Sequence, residues 1–147
     1  GVLVKGEAGV MVRMARCCNP VPGDDIIGYI TRGRGVSVHR ADCKNIGHTP
    51  DDLNRMIEVE WEGATQDHFQ VSVSVHAYDR SGLLMEVMAA LSEMKINISN
   101  INAKTDDTKD VMIHLMLDIK DVSQLDYVMT KLRRVKDVYS VHRGGKA

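Results

Sequence analysis

The stretch FQVSVSVHAYDRSGLLMEVMAALSEM, residues 69–94, contains two hydrophobic periods with a break between them. From Phe69 to Ala77 apolar residues alternate with polar ones, which is typical of a strand with one buried face. Ser81-Gly82 interrupts the alternation, and from Leu83 to Met94 apolar residues recur every three or four positions, as on one face of a helix. The stretch therefore predicts a strand that leads directly into an amphipathic helix.

The residues that follow repeat this order. Strands are predicted over Ile98–Lys104 and Val111–Ile119, with a polar turn between them. Asp121 or Ser123 could cap a second amphipathic helix, and a last strand is predicted around Tyr139. The order β-α-β-β-α-β is two split βαβ units, a ferredoxin-like arrangement. It predicts a four-stranded antiparallel sheet with both helices on one face.

The first half of the chain is less regular and is dense in turn residues. Residues 19–35 read NPVPGDDIIGYITRGRG, and Ile26–Thr31 and Val36–His39 are predicted to form a hairpin. A short helical turn is predicted over Ala41–Ile46, and a returning strand over Ile57–Trp61. This half therefore reads as a small α/β domain.

A polar stretch, residues 62–67, separates the turn-rich first half of the chain from the periodic second half. We predict two domains, 1–63 and 64–147, and an α+β fold class for the chain.

The composition limits the classes of function. The chain has 147 residues and is 44% hydrophobic, which is enough to bury a hydrophobic core. Its formal net charge is −1, so no overall electrostatic attraction to nucleic acid is expected. One Phe, one Trp and four Tyr argue against a single-strand binder that stacks bases on aromatic rings. No apolar run approaches the roughly 20 residues of a membrane span, and no leader is visible. We expect a cytoplasmic protein without a membrane partner.

All three cysteines lie close together in the sequence, with a histidine four residues before the last. Zinc prefers thiolate and imidazole ligands, and Cys17, Cys18, His39 and Cys43 could supply them. Two adjacent cysteines can bind one ion only if the backbone turns between them, and Asn19-Pro20 makes such a turn plausible. Two other interpretations stay open on the residues alone. The cysteines could be small core side chains, or one could pair with the histidine as a nucleophile, although no orienting third group is evident.

Two further segments are candidates for binding. The turn Arg32-Gly33-Arg34-Gly35 could present guanidinium groups to phosphates, together with Arg13, Arg16 and Arg40 in the same half of the chain. Alternatively, the turn could be a solvated hairpin tip. At the strand-to-helix break, Asp79, Gly82 and Asn97 could hold the ammonium and carboxylate groups of a free amino acid. An ordinary helix start is the alternative there.

The run CCNPVPGDDIIGYITRGRGVSVHRADC, residues 17–43, resembles the cysteine-containing domain near the C-terminus of long RelA/SpoT-type proteins, the Rel enzymes. The matching pieces are Cys17-Cys18, Pro20-x-Pro22-Gly23-Asp24, Gly28-Tyr29-Ile30-Thr31, Gly33-x-Gly35 and Val38-His39-Arg40-x-Asp42-Cys43-x-Asn45. Residues 67–146 resemble an ACT domain, with DRSGLL and INISNI at its usual landmarks. The resemblance covers nearly the whole chain.

The resemblance implies a regulatory role. Rel enzymes transfer pyrophosphate from ATP to GTP or GDP, and they hydrolyse the product, (p)ppGpp, in the bacterial stringent response. Nothing in this chain resembles the catalytic half, so the resemblance implies no catalytic residues here. It implies a parent that is a GTP pyrophosphokinase and a (p)ppGpp 3'-pyrophosphohydrolase, whose catalytic domains are partners of this region.

In this family the cysteine-containing domain is called a zinc-finger or ribosome-intersubunit domain. It docks on ribosomal RNA, and the ACT domain beside it lies near the deacylated tRNA. Carried over residue by residue, the zinc set is Cys17, Cys18, His39 and Cys43. The ribosome-facing candidates are Arg32, Arg34, Arg40 and Asp42.

ACT domains that bind amino acids hold them at the strand-to-helix turn. Asp79, Gly82 and Asn97 match those positions. Some Rel proteins sense branched-chain amino acids there, so valine or isoleucine binding that shifts the parent toward hydrolysis is the alternative function. ACT sheets often pair edge to edge or face to face, so the resemblance also implies a homodimer through this domain.

Overall fold

The computed structural model describes residues 1–6, 9–33, 35–63 and 67–145. The chain divides into two compact units, Gly1–Asp67 and His68–Ala147, and both mix helices with strands, so the class is α+β. Among the helices in these ranges, none has the length and apolar character needed to cross a membrane.

The first unit consists of short strands and one short helix. Its elements are strands β1 (Val2–Val4), β2 (Val12–Met14), β3 (Ile26–Ile30) and β4 (Val36–Arg40), helix α1 (Pro50–Arg55), and strands β5 (Met56–Ile57) and β6 (Val59–Trp61). Four strands form one sheet in the order β2-β4-β3-β5, and β1 pairs with β6 in a second, two-stranded sheet. Strand β2 runs parallel to β4, whereas β3 is antiparallel to both of its neighbours.

The predicted hairpin is β3 and β4, and its inner face builds the core of this unit. Val4, Val36, Val38 and Val59 are buried together. Gly28 lies in the middle of β3, where a Cβ atom would stand 2.8–2.9 Å from methyl groups of Val36, Ile57 and Val59. Glycine is needed at this position because the surrounding side chains occupy the space of a side chain.

Two local predictions for this unit differ from the structure. Residues 41–46 form turns rather than a helical turn, because the amide of Ala41 is bonded to the Asp25 carbonyl across the hairpin end. The returning strand is split at Glu58, since β5 pairs with β3 whereas β6 pairs with β1. Helix α1 begins at Pro50, after Thr49, whose side chain accepts a bond from the Asp52 amide.

The second unit has the predicted β-α-β-β-α-β order. Its elements are β7 (Phe69–Tyr78), α2 (Leu83–Glu93), β8 (Ile98–Thr105), β9 (Asp110–Ile119), α3 (Val122–Arg133) and β10 (Val138–Arg143). All strand pairs are antiparallel, in the order β10-β7-β9-β8. Asp121, rather than Ser123, caps α3 by accepting from the Gln124 amide at 2.8 Å.

The core of the second unit lies between its sheet and its helices. Alternate residues of β7 and β9 are buried, among them Val73 and Leu115. Helix α2 contributes Leu83, Val87 and Leu91 to the core. Because side chains alternate across a strand, the polar residues between the buried ones form the opposite, open face of the sheet.

Candidate functional site

The three cysteines and His39 meet at one end of the first unit. Cys17 and Cys18 follow β2, His39 lies near the end of β4, and Cys43 lies in the turn after β4. Because β2 and β4 are parallel neighbours, the residues that follow each strand emerge at the same edge of the sheet. This pairing brings two segments more than 20 residues apart in sequence into contact.

The backbone turns at the adjacent cysteines. The Asn19 amide donates to the Ala15 carbonyl at 3.1 Å, and Asn19 has a left-handed φ of +47°. In an extended strand neighbouring side chains would point apart. Here the Sγ atoms of Cys17 and Cys18 lie 4.0 Å apart on the same side. The condition for joint coordination is therefore met.

The four ligand atoms have the spacing of a tetrahedral site. Cys17 Sγ lies 3.4 Å from His39 Nδ1 and 3.6 Å from Cys43 Sγ, and Cys18 Sγ lies 3.9 Å from His39 Nδ1. All four atoms fall within 4.8 Å of one another. A tetrahedral zinc ion with ordinary bond lengths places two sulfurs about 3.8 Å apart and a sulfur and a nitrogen about 3.5 Å apart. The set fits such an ion with little adjustment.

Two further contacts orient the cluster. Ser37 Oγ lies 3.1 Å from His39 Nε2, and both residues are buried. The Arg40 amide donates to Cys18 Sγ at 3.3 Å. Sequence reasoning missed Ser37, although residues two apart on a strand share a face and the alternation of β4 could have pointed to it.

Burial favours the uncharged forms of Cys18, Cys43 and His39. Burial raises the pKa of Cys18 to about 12, and the neighbouring thiols of Cys17 and Cys43 add to this rise. Burial also raises the pKa of Cys43 and lowers the pKa of His39. The thiols of Cys18 and Cys43 are not activated as nucleophiles, because a nucleophilic cysteine needs a lowered pKa. An incoming metal ion would displace their protons and find an uncharged imidazole ready to coordinate.

The predicted ribosome-facing residues do not form one group. Arg40 lies beside the cluster and donates to Asp42 at 3.0 Å. In the β3–β4 hairpin, Ile26 pairs with Arg40 and Ile30 pairs with Val36. Arg40 therefore lies at the open end of the hairpin, whereas Arg32 lies at the opposite end, in the turn that joins the two strands. Arg34 falls outside the described residues.

Two other arginines lie closer to the cluster than Arg32 does. Arg13 and Arg16, both exposed, line a cleft of about 400 Å³ together with Cys17, Ser37 and His39. Arg13 comes from β2 and pairs in register with Ser37. The cluster therefore opens onto a surface that carries cationic side chains.

The predicted amino-acid site is only partly assembled. Asp79 and Gly82 line a cavity of about 270 Å³ whose apolar wall includes Ala103, Val111 and Ile113. Asn97 is exposed at the other end of α2, and it is not among the residues that line this cavity.

The turn that shapes this cavity is held by one arginine. Gly82 has a φ of +82° at the N-cap of α2, a conformation that suits glycine. Arg80 Nε donates to Asp137 at 2.8 Å, and Arg80 also donates to Glu86 at 2.9 Å and to the Lys136 carbonyl at 3.0 Å.

Comparison with protein families gives two matches that divide the chain. Residues 2–62 match the model of the RelA/SpoT RIS domain, and residues 65–143 match the model of the ACT domain.

Curated relatives match nearly the whole chain. It is 42% identical to a GTP pyrophosphokinase of Streptomyces coelicolor, covering 97% of this chain and 17% of the relative. It is 39% identical to the bifunctional (p)ppGpp synthase/hydrolase RelA of Mycobacterium tuberculosis and 36% identical to a GTP pyrophosphokinase of Escherichia coli, covering 97% of this chain and 19% of each relative. The chain thus spans about a fifth of the length of these relatives.

Among solved structures, the second half is similar to the ACT domain of a GTP pyrophosphokinase of Chlorobium tepidum. The crystal structure of that domain is 26% identical, with a TM-score of 0.48, covering 52% of this chain and 97% of that one.

Proposed function

The chain belongs to the ACT-domain family and carries a RelA/SpoT RIS domain ahead of its ACT domain, and we propose that it is the C-terminal regulatory module of a cytoplasmic (p)ppGpp synthetase/hydrolase. In this proposal the module docks on ribosomal RNA and tRNA and controls the catalytic domains of the same protein. The parent transfers pyrophosphate from ATP to GTP or GDP and hydrolyses the product. The module itself contributes no catalytic residue.

Within this function the cysteine cluster is a structural zinc site. Cys17, Cys18, His39 and Cys43 would hold the ion and so tie the turn after β2 to the turn after β4. With all four positions of a tetrahedral ion taken by protein side chains, the ion would stabilise the fold of the docking surface rather than supply chemistry. The spacing of the four ligand atoms supports this assignment.

The observation that carries the docking proposal is the position of Arg13, Arg16 and Arg40 around this cluster. A metal that fixes the turns after β2 and β4 would also fix these guanidinium groups. Guanidinium groups bind phosphates with two parallel hydrogen bonds, which suits a structured RNA backbone. Arg32, at the hairpin tip, would make a separate contact.

Cosedimentation of the chain with ribosomes over a series of salt concentrations tests the docking proposal. We expect Arg13→Ala, Arg16→Ala and Arg40→Ala each to weaken binding and to reduce the salt slope by about 1. Lys5→Ala is the matched control, since Lys5 is an exposed cation of the same unit that follows β1, a strand of the other sheet. Binding that all four variants leave unchanged would contradict this surface.

Elemental analysis of the purified chain tests the metal site. We expect about one zinc ion per chain, and less in Cys17→Ser and His39→Ala. A metal-free protein that retains its fold and its ribosome binding would remove zinc from the proposal but leave the docking surface intact.

The cavity beside Gly82 favours a second candidate function, the sensing of a branched-chain amino acid. Asp79 could accept from the ligand ammonium, while Val111 and Ile113 offer apolar contact to a valine or isoleucine side chain. Calorimetry with valine and isoleucine should show binding that Asp79→Asn abolishes and that Asp107→Asn, at an exposed turn position, preserves. The absence of heat at millimolar ligand would exclude this function without affecting the first.

A further inference from the structure

The three thiols of the cysteine cluster differ in their exposure to solvent. Cys17 is exposed, whereas Cys18 and Cys43 are half-buried. Cys17 also lines the cleft of about 400 Å³ that Arg13 and Arg16 border. Because oxidation of a cysteine depends on access to its sulfur, a dissolved oxidant reaches Cys17 before it reaches the other two thiols.

Cys17 is also close to both of the other thiols. Its Sγ atom lies 3.6 Å from the Sγ atom of Cys43 and 4.0 Å from the Sγ atom of Cys18. The sulfurs of a disulfide are about 2.05 Å apart, so those of Cys17 and Cys43 would need to approach by roughly 1.5 Å. Rotation of the two side chains is enough for a movement of this size.

The adjacent pair is the poorer partner for a disulfide. The peptide that joins Cys17 and Cys18 is trans, and a bond between their sulfurs would close a small ring that contains this planar peptide. Adjacent Cα atoms are about 3.8 Å apart, below the roughly 4.4–6.8 Å of ordinary disulfides. Cys18 is also less available to Cys43, because its half-buried Sγ accepts from the Arg40 amide at 3.3 Å. The geometry therefore favours Cys17 with Cys43.

A bond between Cys17 and Cys43 would join the two turns that a metal ion would join. Cys17 follows β2, and Cys43 lies 26 positions later in the turn after β4. The second turn is already formed by the Cys43 amide, which donates to the Arg40 carbonyl at 2.9 Å. A disulfide that closes a loop of this length stabilises a fold by restricting the unfolded chain. The first unit would therefore keep a cross-link at this end without a metal.

We propose that Cys17 and Cys43 are an oxidation site, at which a hydroperoxide forms a disulfide that takes the place of the metal. In the first step the Cys17 sulfur attacks one peroxide oxygen and the O–O bond breaks. Cys17 becomes a sulfenic acid, and its thiol proton leaves with the displaced oxygen, as water when the oxidant is hydrogen peroxide.

The second step forms the disulfide within the cluster. The Cys43 sulfur attacks the sulfenic sulfur of Cys17, the S–O bond breaks, and the Cys43 proton leaves with the hydroxyl group as water. Over both steps the two sulfurs lose two electrons and the peroxide gains them. The nearness of the two sulfurs promotes this step, because the reaction is intramolecular.

Oxidation also changes what the cluster can bind. The disulfide removes two of the four ligands and leaves Cys18 and His39. Two side chains cannot complete the tetrahedral set of a structural zinc site, so the oxidised chain should hold no zinc. This loss of zinc rests on the metal site proposed above, whereas the disulfide does not.

Peptide mapping of the whole chain tests the disulfide. After removal of metal with a chelator and treatment with hydrogen peroxide, we expect a Cys17–Cys43 cross-link and a free Cys18 thiol. Fragmentation between Cys17 and Cys18 identifies the bonded sulfur, so the wild type decides the pairing without any variant. Cys18→Ser should form the same bond, and Cys17→Ser should not. A map dominated by another pair, by bonds between chains, or by sulfinic acid at Cys17 would overturn the proposal.

Urea unfolding, followed by the fluorescence of Trp61 in the first unit, tests the cross-link. The oxidised, metal-free chain should unfold at a higher urea concentration than the reduced, metal-free chain. Peroxide should not raise the midpoint of Cys17→Ser. Equal midpoints for the oxidised and reduced wild type would overturn the claim that the bond ties the two turns.

Zinc release measures the exchange of metal for disulfide. A chromophoric chelator should report the loss of zinc from the loaded chain in step with the Cys17–Cys43 bond, and a dithiol should restore binding. His39→Ala keeps all three thiols, so it should form the bond although it binds zinc weakly from the start. Zinc that stays in a chain with the bond formed would overturn the exchange. A wild type that binds no zinc before oxidation would overturn the exchange and the metal site together, while the peptide map still decides the oxidation site.

Discussion

Ser37 Oγ and His39 Nε2 lie 3.1 Å apart on β4, and both side chains are more than nine-tenths buried. Ser37 can accept a hydrogen bond from the protonated Nε2, which leaves Nδ1 with its lone pair toward Cys17 and Cys18. A histidine that binds metal usually has its second nitrogen fixed by such a partner. The contact thus suits the tautomer that can coordinate.

We therefore expect Ser37→Ala to weaken zinc binding by about 10- to 100-fold in a chelator competition assay. Ser37→Thr should retain most of the affinity, because threonine keeps the hydroxyl group. Ser123→Ala, at an exposed position of α3, is the control for the loss of a serine elsewhere. If Ser37→Ala binds zinc as tightly as the wild type, the contact does not orient the imidazole.

The close packing around Gly28 gives a prediction for the stability of the first unit. Gly28→Ala places a methyl group within 2.8–2.9 Å of methyl groups of Val36, Ile57 and Val59, so these core side chains must shift. We expect a loss of about 1–3 kcal/mol in the free energy of unfolding, measured with urea. Gly33→Ala is the matched control, since a Cβ atom there meets nothing within 4 Å. Equal stability of the two variants would show that the core rearranges without cost.

The second unit was predictable from sequence because its signals are local. The period of 2 in Phe69–Ala77 and the helical period after Leu83 each lie within one element. The split of the returning strand at Glu58 was not predictable, because it depends on which strands pair with β5 and β6. Turn residues alone do not encode such long-range pairing.

The candidate sites, too, were predictable only as far as their signals are local. The residue types identified Cys17, Cys18, His39 and Cys43 as a possible metal set, and the structure brings them together. Their meeting depends on the parallel pairing of β2 with β4, which also brings Arg13 beside Ser37. No local pattern reports this pairing, so the sequence could not separate Arg13, which lies beside the cluster, from Arg32 at the other end of the hairpin.

The turn between β8 and β9 gives a prediction about pH. The Thr108 hydroxyl and the amides of Asp110 and Thr108 donate to Asp106 and lower the pKa of its carboxyl. The folded chain therefore binds this proton only at lower pH than the unfolded chain does. The stabilisation is fully present above the pKa that Asp106 has in the unfolded chain. It is lost as the pH falls through the lower pKa that Asp106 has in the folded chain.

Urea unfolding of wild type and Asp106→Asn at several pH values measures this effect. The difference in stability should be constant above about pH 5 and should shrink below it, since the unfolded carboxyl titrates near pH 4. Asp107→Asn, one residue further along the turn, should show no such trend. A difference that does not depend on pH would mean that these hydrogen bonds do not favour the ionised carboxylate.

Arg80 connects the strand-to-helix turn to the start of β10. Its guanidinium group reaches Glu86, the Lys136 carbonyl and Asp137, and Asp137 holds a left-handed φ of +73° while its carboxylate accepts this bond. Lysine has a single ammonium group and cannot donate in three fixed directions. We expect Arg80→Lys to lower the urea midpoint of the second unit without a change in m. Arg134→Lys, near the end of α3, is the control for an arginine that makes none of these three contacts.

In a double-mutant cycle, Asp137→Asn should cost less in the Arg80→Lys background than in the wild type, because the two groups interact. Additive effects of the two substitutions would show that Arg80 and Asp137 stabilise the turn independently.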